Sequence, residues 1–293
     1  MKHNTMTDKV KNFVMFALPG LFFFSAVVLI PFIYGLYITL TDWDGMSNTK
    51  KMVGLVNYMV VFQDTQFWNS LMLTVKYVVI STILVQIMAF GLAAFLTSGI
   101  KGQNFFRAGF FTPNLIGGIV LGFIWQFVFS KAFTAIGATT GIGFLEKSWL
   151  SDSSHAFMAL VVVTVWQYSG YMMMIYVAGF VGISHEVIEA AKIDGASEWQ
   201  KIRYVIIPLM RNSFVICTFL TLTRCFMVYD LNLSLTDGGP FGSTVMSAVY
   251  VYRKAFTSRQ YGVGQAEAII LFVVVGVIAV TQVYLGNRKE VEA

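Results

Sequence analysis

The sequence predicts an all-α integral membrane protein, a bundle of six transmembrane helices. Of its 293 residues, 57% are hydrophobic and 12% are charged, and the mean hydropathy is +0.70. Soluble domains carry about 25% charged residues, so this composition excludes an ordinary soluble fold. The second observation is a series of long uncharged runs, each able to supply the ~20 apolar residues that a helix needs to cross a bilayer.

Six runs meet that length requirement. Pro19 and Pro31 lie in the first and are tolerated in membrane helices, Arg224 interrupts the fifth, and Glu267 lies near the start of the sixth. The first run is too long for the ~7–15-residue core of a signal peptide, so it is predicted to remain as a span. The predicted spans are residues 13–40, 71–97, 108–129, 156–181, 207–229 and 263–285. No linker separates them, so residues 1–293 are predicted to form a single transmembrane domain.

Lys and Arg residues are more frequent in cytoplasmic loops, which sets the orientation of a membrane protein. With the N-terminus inside, the inner loops hold more basic residues than the outer ones, so both termini and the loop before residue 208 are predicted to be cytoplasmic. The net charge of +5 is therefore explained by loops, and no nucleic-acid partner is predicted. The inner set is Lys2, Lys9, Lys11, Lys101, Arg107, Lys192, Lys201, Arg203, Arg211, Arg288 and Lys289.

Residues 184–206, here called the two-helix loop, form the one amphipathic, charged segment between two apolar runs. Ser184 is placed to cap a first short helix, and Gly195 to end it in a left-handed conformation. Ser197 and Gln200 have the spacing of a capping box for a second helix. Pro208 then marks the entry to the next span.

Asp194 breaks this pattern, because a carboxylate at a helix C-terminus opposes the helix dipole. It indicates either a partner that supplies positive charge or a turn capped in water. The loop itself could bind a partner protein or lie on the lipid surface. The apolar face of the loop, formed by Val187, Ala190 and Ala191, is small, and Asp194 lies on the same side. Such a face is poorly suited to a lipid surface, which favours a partner protein.

Enzymatic chemistry is not indicated by the motifs present. The chain has no Gly-x4-Gly-Lys-[Ser/Thr] phosphate loop and no His-Glu-x-x-His pair. In addition, no predicted span contains a pair of carboxylates. Cys217 and Cys225 are predicted to be buried small side chains, and no metal site is predicted. The expectation is a non-enzymatic membrane protein that binds no cofactor itself.

The two-helix loop carries a family resemblance. Glu189-Ala190-Ala191, then Asp194-Gly195 and Pro208, resemble the EAA loop of binding-protein-dependent ABC importer permeases. This resemblance implies the type I, MetI-like permease fold and a multi-pass place in the bacterial inner membrane. It also implies a cytoplasmic EAA coupling loop at residues 184–206.

A second set of motifs resembles the carbohydrate-uptake branch of that family, in particular the larger maltose-type permease subunit without its external insertion. The clearest is an outer loop containing Gly238, Gly239 and Pro240, preceded by Leu235-Thr236-Asp237. Further matches are Gly54-Leu55-Val56-Asn57-Tyr58, Phe106-Arg107 with Pro113, and Tyr252 with Ala255-Phe256 and Gly262.

The resemblance implies partners and roles. The expected partners are a second permease subunit, two ATPase subunits that hold ATP and Mg, and an extracellular solute-binding protein. Glu189 is expected to pair with the ATPase, and Ala190 and Ala191 to allow close approach. Gly195 is expected to form the bend, and Asp194 to cap or contact it.

The substrate path is predicted from aromatic and hydrogen-bonding side chains, which together suit a sugar ring. Span four supplies Trp166, Gln167, Tyr168 and Tyr171, and span five supplies Arg224, Tyr229 and Asp230. The same aromatic residues could simply pack, and Arg224 could be a strut to the partner permease.

Three other functions stay open at this stage. One is an ion-driven secondary transporter, which would use intramembrane carboxylates. Another is a membrane scaffold without a transport path. Within the ABC family, glycerol phosphate or another small polar solute could replace the sugar, since Arg224 would suit an anion.

Overall fold

A computed structural model describes residues 11 and 13–287. Five of the described helices are long and apolar enough to cross a membrane, and one bent pair of helices brings the candidates in this part of the chain to six. The predicted fold class is therefore confirmed. The helices are α1 Phe13–Ile38, α2 Val56–Gln63, α3 Thr65–Thr97, α4 Gln103–Phe111, α5 Gly118–Thr140, α6 Ser153–Val181, α7 His185–Ile193, α8 Glu198–Leu209, α9 Arg211–Phe226, α10 Asp230–Leu235, α11 Ser247–Tyr252 and α12 Tyr261–Asn287.

The predicted third span, residues 108–129, is wrong in its bounds. A 3-10 turn, Thr112–Leu115, follows α4, and the apolar helix α5 begins only at Gly118. Pro113 lies in that turn, and proline both fixes its own φ and removes a backbone donor. Ile116 and Gly117 are extended, so the chain leaves the helix before it re-enters the span.

The fifth span also differs from the prediction of residues 207–229. The pair α8 and α9 is bent by 72° at a break of one residue, Met210. Helix α9 then ends at Phe226, and Asp230 begins the separate helix α10. The bend sets the two-helix loop at an angle to the span that follows it.

The first compact unit comprises the described residues up to Thr65 together with residues 251–270. The Asn57 amide donates to the carbonyl oxygens of Thr39 and Thr41, both at 2.8 Å. Gly262 lies against the same turn, because a Cβ there would approach the Thr41 oxygen to 2.2 Å. The start of α12 is thus fixed to the turn that ends α1.

The second unit comprises residues 66–250 and the rest of the chain from Leu271. Its buried side chains form two apolar clusters, one around Tyr77 and Leu160 and the other around Met172. A polar contact crosses three helices, since the Gln86 amide donates to Thr221 Oγ1 at 3.1 Å and accepts from the Tyr176 hydroxyl. These clusters and this contact hold α3, α6 and α9 together.

Two predictions remain as made. The assignment of residues 1–293 to a single domain is untested. Lys2, Lys9, Arg288 and Lys289, which contribute to the predicted orientation, lie outside the described residues.

Candidate functional site

A polar cavity of about 420 Å³ lies between the 3-10 turn, α6 and the end of α9. Three residues of the predicted substrate path, Gln167, Tyr168 and Arg224, line it. The other lining residues are Asn114, Thr223 and Met227. Amide, phenol, hydroxyl and guanidinium groups therefore face one open depression within the second unit.

Arg224 is held in this cavity by two aromatic rings and one amide. Its guanidinium carbon lies 4.7 Å from the ring centroid of Tyr171 and 5.4 Å from that of Tyr168. These tyrosines are three residues apart on α6 and so lie on one helix face. Arg224 Nη1 donates to Asn114 Oδ1 at 3.0 Å.

No ion pair found within residues 13–287 includes Arg224. A guanidinium has five N–H donors, and Asn114 takes one of them. Both ring contacts stabilise the cation but use none of the N–H groups. The remaining donors are available to a hydroxyl or an anion that enters the depression.

Tyr171 contacts Arg224 but does not line this cavity, and the three other predicted path residues lie elsewhere. Trp166 is 43% exposed and makes an edge contact with Trp125, with ring centroids 5.4 Å apart. Tyr229 lies beyond the end of α9, and Asp230 begins α10 next to Gly118, where a Cβ would lie 2.8 Å from that of Asp230. None of the three is among the cavity's lining residues.

Asn114 and Thr223 were missed by the sequence reasoning. Asn114 follows Pro113 inside a run that was predicted as a regular span. A polar side chain next to a helix-breaking proline was the available signal. Gln167 was found, and its Nε2 donates to the Ile116 oxygen at 3.1 Å, which fixes the turn that presents Asn114.

The two-helix loop has the predicted hinge. Gly195 has φ +76°, and its N–H bonds to the Lys192 oxygen at 3.1 Å while the Ala196 N–H bonds to the Ala191 oxygen at 3.0 Å. This pair of hydrogen bonds is the Schellman motif. Ser197 and Gln200 form the predicted capping box. Ser184 occupies the N-cap position of α7, but its side chain makes no capping hydrogen bond.

Two large apolar side chains of this loop are exposed. Ile193 is 85% exposed and Trp199 66% exposed. Glu189 is also exposed, and its Oε1 lies 3.3 Å from Nδ1 of His185 one turn earlier. Ala190 and Asp194 are exposed as well, and Ala191 is half-buried. The loop therefore presents small and apolar side chains among several accessible carboxylates.

Arg211 connects the bend after this loop to the end of the last span. Its Nε donates to the Gly286 oxygen at 2.7 Å, and an Nη2 donates to the Leu285 oxygen at 3.4 Å. Gly286 packs directly on Val215, since a Cβ there would meet Val215 at 2.6 Å. A basic side chain on the last carbonyls of a helix satisfies them and complements the dipole.

The Gly-Gly-Pro loop, residues 236–246, is ordered by hydrogen bonds to buried polar groups. Asn232 donates to the Thr244 oxygen at 2.8 Å and accepts from the Met246 N–H at 3.1 Å. Thr244 Oγ1 donates to the Gly239 oxygen at 2.6 Å. Gly238 has φ +75° and the Gly239–Pro240 peptide is cis, and Phe241 at the tip is fully exposed.

The candidate spans, the polar cavity and the exposed two-helix loop fit a membrane permease. Residues 87–291 match the family model of the binding-protein-dependent transport system inner membrane component. The chain belongs to this family and is a transport-system permease subunit of the inner membrane. The alternatives of a secondary transporter and of a scaffold are set aside by this membership.

Two curated relatives are similar over nearly the whole chain. The probable starch degradation products transport system permease protein AmyD of Thermoanaerobacterium thermosulfurigenes is 44% identical over 278 residues, covering 95% of this chain and 94% of that protein. The multiple sugar-binding transport system permease protein MsmF of Streptococcus mutans is 32% identical over 261 residues, covering 89% and 90%.

The fold is also found in a solved structure. A chain from the crystal structure of a bacterial ABC transporter involved in the import of the acidic polysaccharide alginate superimposes with a TM-score of 0.81. Its identity is 18%, and the match covers 96% of this chain and 98% of that chain.

Proposed function

We propose that this chain is the permease subunit of an ATP-driven importer that moves a sugar, most simply a starch-derived oligosaccharide, across the membrane. The cavity around Arg224 carries the proposal. It combines tyrosine rings with amide, hydroxyl and guanidinium donors, the chemistry that suits a ring bearing many hydroxyls. The named substrates of the 44%-identical relative support the same class.

The proposed assembly contains a second permease subunit, two ATPase subunits that hold ATP and Mg, and a solute-binding protein outside. The two-helix loop would dock on the ATPase from the cytoplasmic side, where both termini would also lie. Its hinge at Gly195 and capping box make it rigid enough to act as a lever, as a two-state transporter requires. Exposed Ile193 and Trp199 would enter a groove of the ATPase, and Glu189 would pair with a basic group there.

A second solute class, a glycerol phosphate or another small anion, is favoured by one observation. Arg224 has no carboxylate partner among the described residues, and a guanidinium binds phosphate in a bidentate manner. The cavity therefore has to be tested with both solutes.

The test is reconstitution of the complex in proteoliposomes with its binding protein. We expect uptake of labelled maltodextrin that requires ATP on the loop side. Excess glycerol phosphate should not compete with this uptake. Uptake that survives without ATP would reject the ATP-driven importer. If glycerol phosphate competes for uptake and maltodextrin does not, the sugar is rejected as the solute, but the ATP-driven importer is not.

The partners are tested separately by purifying the chain from native membranes in mild detergent. Recovery of a second six-span permease and an ATPase is expected. A variant with Trp199→Ser and Ile193→Ser should lose the ATPase and keep the second permease. Retention of the ATPase by this variant would contradict the docking surface.

A further inference from the structure

Glu267, in the second turn of α12, is a buried carboxyl group that the transport cavity does not use. Its side chain is fully buried. Within the described residues, neither of its carboxyl oxygens has a hydrogen-bond partner. An ionised carboxylate without donors is strongly disfavoured in apolar surroundings, and such a group normally becomes neutral instead. Ionisable residues inside membrane helices are rare and mark functional positions.

The neighbouring segment places one basic and one acidic residue near this carboxyl. Gly264, three residues earlier on the same face of α12, packs against Ala255, where a Cβ would lie 2.8 Å from that of Ala255. Ala255 directly follows Lys254, and Lys254 Nζ donates to Asp64 Oδ2 at 2.7 Å. Both partners of this ion pair are largely buried.

The Lys254–Asp64 pair does not compensate the burial of Glu267. Its two members act on a nearby carboxyl group with opposite sign, since a positive charge favours the ionised form and a negative charge opposes it. Helix α1, the other long helix of this unit, has no charged residue between Phe13 and Ile38. Lys254 is therefore an ammonium group with one carboxylate partner, Asp64, and a second carboxyl group, Glu267, nearby.

We propose that Glu267 is a proton-binding site, with Lys254 as the group that responds to it. With the proton bound, Glu267 is neutral and Lys254 pairs with Asp64, as in the structure. When the proton leaves to solvent, the new carboxylate attracts the ammonium group, and Lys254 moves from Asp64 to Glu267. The site belongs to the first unit and is independent of the solute carried.

This exchange links pH to the packing of the first unit. Lys254 lies in the π-helical segment Arg253–Thr257 between α11 and α12, and Asp64 lies between α2 and α3. The ion pair joins these two connections. Loss of the proton therefore breaks this ion pair between them.

Infrared spectroscopy of the purified full-length protein tests the proton directly. A protonated carboxylic acid has a C=O stretch that is resolved from the amide bands and shifts in D₂O. Wild type at neutral pH should show this band, Glu267→Gln should lose it, and Glu146→Gln, with its exposed side chain in a loop, should retain it. Identical spectra for wild type and Glu267→Gln would overturn the proposal.

A second variant tests the exchange of Lys254. Asp64→Asn removes the competing carboxylate, so Lys254 should pair with Glu267 and the neutral-pH band should disappear although Glu267 is present. Persistence of the band in this variant would show that Lys254 does not respond to Glu267.

Thermal unfolding provides an independent readout. The native state holds a proton that the unfolded chain releases above pH ~4, so wild-type stability should fall as the pH rises beyond that value. Glu267→Gln imitates the neutral acid in size and should fold, and its stability should lack this decline. The same pH dependence in both proteins would contradict a proton bound at Glu267.

Discussion

Arg211 Nε donates a hydrogen bond to the carbonyl oxygen of Gly286, and the two atoms are 2.7 Å apart. The bond joins two helix ends that are 75 residues apart in sequence. It lies directly after the bend at Met210, and the Gln282 amide adds a contact to the Val215 oxygen at 3.3 Å. These contacts join the start of α9 to the end of α12, next to the two-helix loop.

Arg211→Ala should release the last turn of α12. Hydrogen bonds to charged groups contribute about 1.5–3 kcal/mol each, so the melting temperature of the detergent-solubilised protein should fall clearly. Arg203→Ala is the control, because Arg203 is exposed and makes one cation–π contact with Tyr204. Equal melting temperatures for the two variants would contradict the role of Arg211.

Gly195→Val should abolish ATP-driven uptake while the chain still inserts in the membrane. The left-handed conformation disfavours L-residues by roughly 1–2 kcal/mol, and a β-branched side chain is a particular outlier there. The matched control is Gly195→Asn, since asparagine tolerates this conformation. Uptake is measured in proteoliposomes against the amount of inserted protein. Uptake at the wild-type level by the valine variant would contradict the proposal that the two-helix loop acts as a lever.

Arg224→Gln should lower uptake at least about tenfold, because the lost charged hydrogen bonds are worth more than ~1.4 kcal/mol. Arg224→Lys keeps the charge and should retain part of the activity. Size-exclusion chromatography of the complex separates two roles for this side chain. An intact complex without uptake supports solute contact, whereas a dissociated complex supports the strut to the partner permease.

Trp166→Ala tests whether the substrate path extends beyond the cavity. Trp166 packs on Trp125 rather than lining the depression, so its loss should reduce solute-stimulated uptake less than Tyr171→Ala does. Tyr171→Phe preserves the ring under Arg224 and serves as the control. If Trp166→Ala reduces uptake more than Tyr171→Ala does, the substrate path runs along the side of α6 that contacts Trp125.

Gly170→Ala should disrupt the packing of α6 on α4. A Cβ at Gly170 would lie 1.7 Å from the Phe110 oxygen, and overpacking of this kind costs about 1–3 kcal/mol. Gly91 is also within a spanning helix, but its Cβ would meet nothing within 4 Å. Gly91→Ala should therefore be neutral in the same melting assay. Alanine favours a helix more than glycine does, so similar losses for both variants would contradict the contact with Phe110 as the cause.

Asp152→Ala should weaken the start of α6 at neutral pH. Hydrogen bonds from the His155 N–H and side chain lower the pKa of Asp152, so the ionised form stabilises the folded state. That contribution is present above the unfolded-state pKa and is lost as the pH falls through the lowered one. The melting-temperature difference from wild type should shrink in acid. A difference that does not change with pH would exclude the charge as its origin.

The sequence by itself determined the class of protein and the local structure of the two-helix loop. Apolar run length identifies spans because a bilayer requires it, and Gly195, Ser197 and Gln200 act through bonds to residues within a few positions. The sugar-permease resemblance followed from a second set of local motifs, of which the loop with Gly238, Gly239 and Pro240 is the clearest. These features depend on near neighbours in the chain, so one sequence is enough to predict them.

The tertiary structure decided the rest. Asn114 and Arg224 are 110 residues apart, and only the break at Pro113 and the end of α9 at Phe226 bring them to one cavity. Packing also places Trp166 against Trp125 and leaves Glu267 buried near an ion pair already formed. Such contacts depend on which helix faces meet, and an almost uniformly apolar sequence contains little periodicity from which those faces could be read.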